Sequence, residues 1–246
     1  MKSLPSEIPQ PTLDARARFR QVAESHPLWS HPFVERCRAG QLTLSQVRVI
    51  GAQMYKFCHQ FPSFLALALA ACPQEDARIV IGKNLWEELG EGDPQRAHAS
   101  LFRQFTRALG VDDVHLSAIP AQPETAALID TYRSLGDDYG VQGILGALCY
   151  ASEGIVAALY SHIQRGLRQA GTFDREALMF FEVHIHADDE HADKLEAILL
   201  PMLSTFEDEL LVQQAIRTAM DARCLFFDGV LREAERVADF KLATVD

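Results

Sequence analysis

Apolar residues along this chain recur at intervals of three and four, and no stretch alternates at period two between turn residues, so the pattern predicts an all-α protein. A helix is expected over 12–25, and a short one ending near Gly40 follows the HPLWSHPF turn. Thr43 opens a long helix whose interior carries Pro62, and the missing N–H predicts a kink there. The next helix spans 74–89 and ends at Gly90-Glu91-Gly92; Asp93-Pro94 reads as an N-cap and first-turn proline opening another that stops at Leu109. The stretch 111–123 reads as loop. Helices then cover 124–135, a break falls at Gly136, and further helices run over 139–170, from 181 to near Pro201, and over 205–241. The expectation is one domain over 1–246, a bundle of seven to eight helices, with 1–11 extended or disordered and no internal repeat.

One of these helices departs from an ordinary amphipathic pattern. In FEVHIHADDEHADKLEAIL (181–199), Glu182, His186, Asp189, Asp193 and Glu196 form a stripe suited to solvent. The stripe of Ala177, Phe181, His184, Asp188, His191, Leu195 and Ile198 is apolar at both ends and carries two imidazoles and a carboxylate in its middle. Burying those groups without partners is costly, and a metal ion is the simplest partner. His184, Asp188 and His191 stand at i, i+4 and i+7, on one side of the helix within about two turns.

Three further residues repeat the signal. Glu153 is the lone charge between Asp138 and Arg165, on a stripe with Gly146, Cys149, Val156 and Tyr160. A buried carboxylate of this kind has a raised pKa, a basic partner or a cation. His98 shares its face with Leu101, Phe102, Phe105 and Leu109, and the glycine turn folds Glu88 toward it. Glu87 shares a side with Lys83 and is expected in solvent, while Glu91, between two glycines, rivals Glu88 as the partner of His98. Glu88, His98, Glu153, His184, Asp188 and His191 make three histidines and three carboxylates, a set suited to two divalent ions with open positions for oxygen or water. No Glu-x-x-His occurs, so the di-iron arrangement of ferritin-like bundles is not expected.

Composition narrows the function classes. A hydrophobic share of 48% supports a large core, and a net charge of −11 argues against nucleic-acid and anionic-membrane partners. The longest apolar run, 64–72, is too short to span a bilayer, and the polar, proline-broken start lacks signal-peptide character. A cytoplasmic location is expected. The five cysteines include no CxxC pair, which suits reduced thiols rather than disulfides or a zinc site.

On NLWEELGEGDPQRAHASLFRQFTRALG (84–110), the isolated Glu153 and the His184-x3-Asp188-x2-His191 spacing, the chain resembles the haem-oxygenase-like di-iron oxidases and oxygenases, a TenA/PqqC-like helical group of iron-containing redox enzymes. The resemblance covers about 20–240 and implies that Glu88, His98, Glu153, His184, Asp188 and His191 bind two Fe ions. It further implies an O2-dependent oxidation of a small molecule (a fatty acid, amino acid or amine) through a peroxo-bridged intermediate, and dimers are common in the fold. A pocket is then expected beside Tyr55, His59 and Phe61 and the last helix, Phe226 included, with Tyr55 and His59 as candidate catalytic residues. The branch that makes p-aminobenzoate from its own tyrosine carries a tyrosine just before the middle-helix glutamate. Ser152 stands there, which argues against that chemistry, although Tyr150 and Tyr160 are near. The alternatives are a metal-independent PqqC- or TenA-like enzyme and a non-catalytic binding protein on the same fold.

Overall fold

The computed structural model describes residues 10–243, and the side chains of 10–13, 186–189 and 237–243 fall outside the described set. Its elements are α1 (Gln10–Glu24), a 3-10 turn (Pro27–Ser30), α2 (Pro32–Ala39), α3 (Leu44–Cys58), α4 (Phe61–Ala71), α5 (Glu75–Glu88) and α6 (His98–Ala108). They continue as α7 (Asp113–Ala118), α8 (Pro123–Leu148), a π-helical segment (Cys149–Glu153), α9 (Gly154–Ala170), α10 (Met179–Leu199) and α11 (Phe206–Ala243). No strand occurs among the described residues. The extended segment expected over 1–11 lies mostly outside them, and residues 10 and 11 already belong to α1.

Helices α8 and α11 pack along each other more extensively than any other pair, and the remaining helices close around them. Phe19, Phe33, Phe64, Phe102, Phe105, Phe180, Phe181 and Phe227 are fully buried in one continuous core, and each side chain contributes about 1.5–3 kcal/mol through burial. Short local devices start the helices. Thr43 and Gln46 form a reciprocal capping box at α3. His26 and His31 cap the 3-10 turn and α2: each Nδ1 accepts a backbone N–H at 3.1 Å, from Leu28 and Phe33, and each Nε2 lies 3.1 Å from an aspartate of α11, Asp221 and Asp228.

The chain divides more finely than its pattern predicts. Instead of kinking one helix, Pro62 sits in the first turn of a new one: α3 ends at Cys58, and the Gln60 carbonyl accepts the N–H groups of Ser63 and Phe64 at 2.9 and 3.3 Å. The stretch expected as loop contains α7, because Asp112 accepts the His115 N–H at 2.9 Å and caps a short helix. Gly136 stays helical. The bend falls at Gly140, whose φ of 69° and ψ of −174° a side chain would oppose. Helix α6 begins at His98 rather than Asp93, because Asp93 closes a turn by accepting from Gln95 and Arg96 at 2.9 and 3.0 Å.

Two polarity expectations also change. The helical run Pro123–Ala170 contains a window long and apolar enough to cross a membrane, with mean hydropathy 1.5, but 83% of that window is buried inside the bundle. Glu196, expected on the solvated stripe, is buried: Tyr150 donates to it at 2.8 Å, and Arg16 and Arg20 pair with it at 2.5 and 3.5 Å.

Candidate metal centre

The turn after α5 decides which glutamate enters the core. Gly90, Glu91 and Gly92 all have positive φ (83°, 56° and 91°), which folds the chain back on itself. A Cβ on Gly90 would stand 2.3 Å from the Asp93 carbonyl oxygen and 2.5 Å from the Ala97 nitrogen, so the reversal requires glycine there. The reversal brings His98 Nδ1 to 2.9 Å from Oε2 of the buried Glu88. Glu91 is carried outward and pairs with Arg96 at 2.8 Å. Glu88 is therefore the carboxylate that faces His98.

Glu153 arrives by a different device. It ends the π-helical segment, whose wider turns reorient side chains relative to a regular helix and recur at functional sites. Its carboxylate is buried, and Asn84, one turn before Glu88 on α5, donates to it at 3.3 Å. Helix α10 supplies the remaining imidazoles. His184 Nδ1–H donates to the Phe180 carbonyl at 2.6 Å, leaving Nε2 free of the backbone, and its ring centre stands 4.5 Å from that of His98. His191 places Nδ1 3.9 Å from Glu153 and Nε2 2.5 Å from Glu87. Asp188 lies on the same helix between them, and its side chain is outside the described set.

Two donor groups result. One ligand atom each from Glu88, His98 and His184 lie within 4.8 Å of one another, and the same holds for Glu88, Glu153 and His191. Glu88 belongs to both. The surroundings shift the protonation of each of these groups. Burial, reinforced by His98, pushes His184 down to about 3, so it is a neutral imidazole at pH 7. Burial alone would raise Glu88, but His98, His184 and His191 outweigh it and hold the carboxyl below its usual range. Burial likewise opposes protonation of His98, and the charge of Glu88 overcomes it and raises the imidazole. Despite the short distance to Glu88, His98 Nδ1 makes no hydrogen bond of good geometry, so a buried ligand-type nitrogen is left without a directional partner. Carboxylates with neutral imidazoles suit iron, manganese or zinc, and the residues present fit a metal pair.

A cavity of about 30 Å³ adjoins Glu88, Glu153, His98 and His184. Phe57, Phe61, Val156 and Phe180 supply its apolar wall, and Cys58, Tyr160 and Arg223 its other polar contacts. Tyr55 and His59 line a separate outer groove with Lys56 and Arg133. Met54, Phe57 and Cys58 occupy the inward face of α3 at i, i+3 and i+4, which turns Tyr55 away; its hydroxyl accepts from Arg103 at 3.1 Å and its ring stacks on His59. Phe226 packs on Phe227, and Arg223, one turn earlier on α11, reaches the cavity instead. Glu87, Asn84 and Arg223 were not expected here. Glu87, expected in solvent with Lys83, instead contacts His191 and lies 3.6 Å from Lys194.

The fold and the two donor groups define a class: an all-α protein with a buried carboxylate–imidazole centre suited to two ions. The profile of iron-containing redox enzymes matches residues 51–224, and the chain belongs to that family. It is 30% identical over 216 residues to a 4-aminobenzoate synthase of Nitrosomonas europaea, covering 85% of this chain and 87% of the relative. Identity to a 4-chloro-allylglycine synthase of Streptantibioticus cattleyicolor is 26% over 206 residues, covering 84% and 78%. A crystal structure from Shewanella denitrificans, described as having a heme oxygenase-like fold, superposes with a TM-score of 0.73 over 94% of this chain and 95% of its own, at 17% identity. That likeness shows the fold.

Proposed function

We propose that this protein is a cytoplasmic non-haem di-iron enzyme that uses O2 to oxidise a small molecule, an amino acid, fatty acid or amine. The observation that carries the reading is the position of Glu88 in both donor groups, which suits a carboxylate shared between two ions. Glu88, His98 and His184 would hold one iron, and Glu88, Glu153 and His191 the other; Asp188 is the sixth ligand in this reading. Bound iron supplies the electrons that reduce O2.

The protein's own residues bind, orient and shield. The Phe180 carbonyl fixes the His184 tautomer, so that Nε2 is the ligating atom. Glu87 holds His191 Nε2–H and turns Nδ1 toward Glu153. Asn84 steadies the Glu153 carboxylate. Phe57, Phe61, Val156 and Phe180 keep bulk water from the reacting side of the centre.

The test is anaerobic loading with Fe(II) and a count of iron per chain. Two irons per chain, followed by oxygen uptake, are expected; a protein that binds no iron with these ligands intact overturns the reading. The relatives named 4-aminobenzoate synthase favour a second reading, in which 4-aminobenzoate is the product. Tyr160 borders the cavity, while Ser152 is held by Tyr132 at 2.7 Å and Tyr150 is turned away to Glu196. Acid-quenched, iron-loaded protein exposed to O2 and a reductant without added substrate would release 4-aminobenzoate in this second reading and none in the first.

A further inference from the structure

Arg223 is a cation buried on an otherwise apolar stripe of α11. It is 4% exposed, on a stripe with Ala219, Phe226 and Val230, all buried in the core. A buried guanidinium normally faces a carboxylate, because five N–H donors and a full charge have lost water. Among the described residues no carboxylate forms an ion pair with Arg223. One nitrogen, Nη2, donates to the Tyr132 hydroxyl at 3.3 Å and the Ala151 carbonyl at 3.2 Å, and the guanidinium lies 5.0 Å from the centre of the Phe57 ring. Nε is buried and has no hydrogen-bond partner. The side chain borders the same cavity as Glu88, Glu153, His98 and His184.

We infer that Arg223 is the substrate anchor and that the substrate is a carboxylic acid, its carboxylate bound to the free side of the guanidinium. The inference rests on the proposed function only in taking this cavity as the substrate site. A planar anion with two oxygens satisfies the orphaned Nε and a terminal nitrogen together, which a neutral group cannot do with equal strength. The cavity of about 30 Å³ is large enough to admit a small polar head group. The body of the acid then runs along Phe57, Phe61 and Val156, which line the same cavity.

The test is calorimetric titration of the full chain, metal-free and loaded with redox-inert Zn(II), with three six-carbon probes: hexanoate, hexanamide and L-norleucine. At least one of the two acids is expected to bind about tenfold or more tightly than hexanamide. Arg223→Met is expected to weaken that acid by about 30-fold or more and to leave hexanamide unchanged. Preference for norleucine identifies an amino-acid substrate, and preference for hexanoate a simple acid; both support the anchor. A purely structural Arg223 would instead show in the melting temperature. The Met variant is expected to be folded, because Met has a similar volume and the Tyr132 hydroxyl still bonds the Ala151 carbonyl and Ser152 when the guanidinium is gone. Arg223→Lys provides a second check by restoring part of the acid preference. Equal binding of acid and amide, no binding of either acid, or unchanged acid binding in Arg223→Met overturns the inference. Zinc counted per chain reports separately on the metal centre, so failure there leaves the acid–amide comparison readable.

Discussion

Two sets of buried histidines do opposite work in this molecule. His26 and His31 each spend one nitrogen on a backbone N–H and the other on an aspartate of α11, so both rings are complete within the protein. In the centre, His184 spends Nδ1 on the Phe180 carbonyl, His191 spends Nε2 on Glu87, and the remaining nitrogens converge with Glu88 and Glu153. These four rings are buried, and His98, the fifth, is largely so. Burial therefore does not separate a candidate ligand from a structural histidine; the direction in which the second nitrogen points does.

The sharpest test of this contrast is Glu88, which both donor groups share. Glu88→Gln is expected to abolish binding of both irons, read by metal analysis after anaerobic loading. The metal-free protein should melt within about 4 °C of the parent, because the amide keeps the shape of the side chain. His191→Ala should halve the iron content, leaving the ion held by Glu88, His98 and His184. Glu87→Gln removes the charge that orients His191 without touching the ligand set. It should weaken binding of that iron by about 10–100-fold in a competition titration against a chelator. The smallest effect is expected on the other side of the comparison. His31→Ala should cost about 1 kcal/mol in urea unfolding, the usual value of an N-cap, with iron content unchanged. Loss of iron in that variant, or retention of both irons in Glu88→Gln, would erase the distinction.

The centre was legible in the sequence wherever a charge interrupts an apolar stripe. Glu153 and the His184–His191 stretch are of this kind, and the structure brings Glu88, His98, Glu153, His184 and His191 together. Arg223 interrupts its stripe in the same way and could have been found by the logic that picked out Glu153. Glu87 could not, because its i−4 neighbour is Lys83 and only the docking of α10 against α5 brings His191 to it. The choice between Glu88 and Glu91 was likewise beyond pattern, since it depends on the left-handed backbone at 90–92. Tyr55 and His59 show the converse error. Sharing a helix with Phe57 and Cys58 places a residue near a cavity, and a rotation of about 100° per residue decides whether it enters.

The short π-helical stretch before α9 acts as a phase shift between two rigid rods. Each of its backbone rings closes one residue later than in the helices on either side, so it stores one surplus residue. Deleting Ala151 would let the stretch between the bend at Gly140 and Ala170 close as a regular helix. Glu153 would then take the orientation set by a regular helix instead of the wider turn that now aims it at Glu88 and His191. Shortening the chain by one small, buried, chemically inert residue should therefore cost the protein its iron while its helices remain.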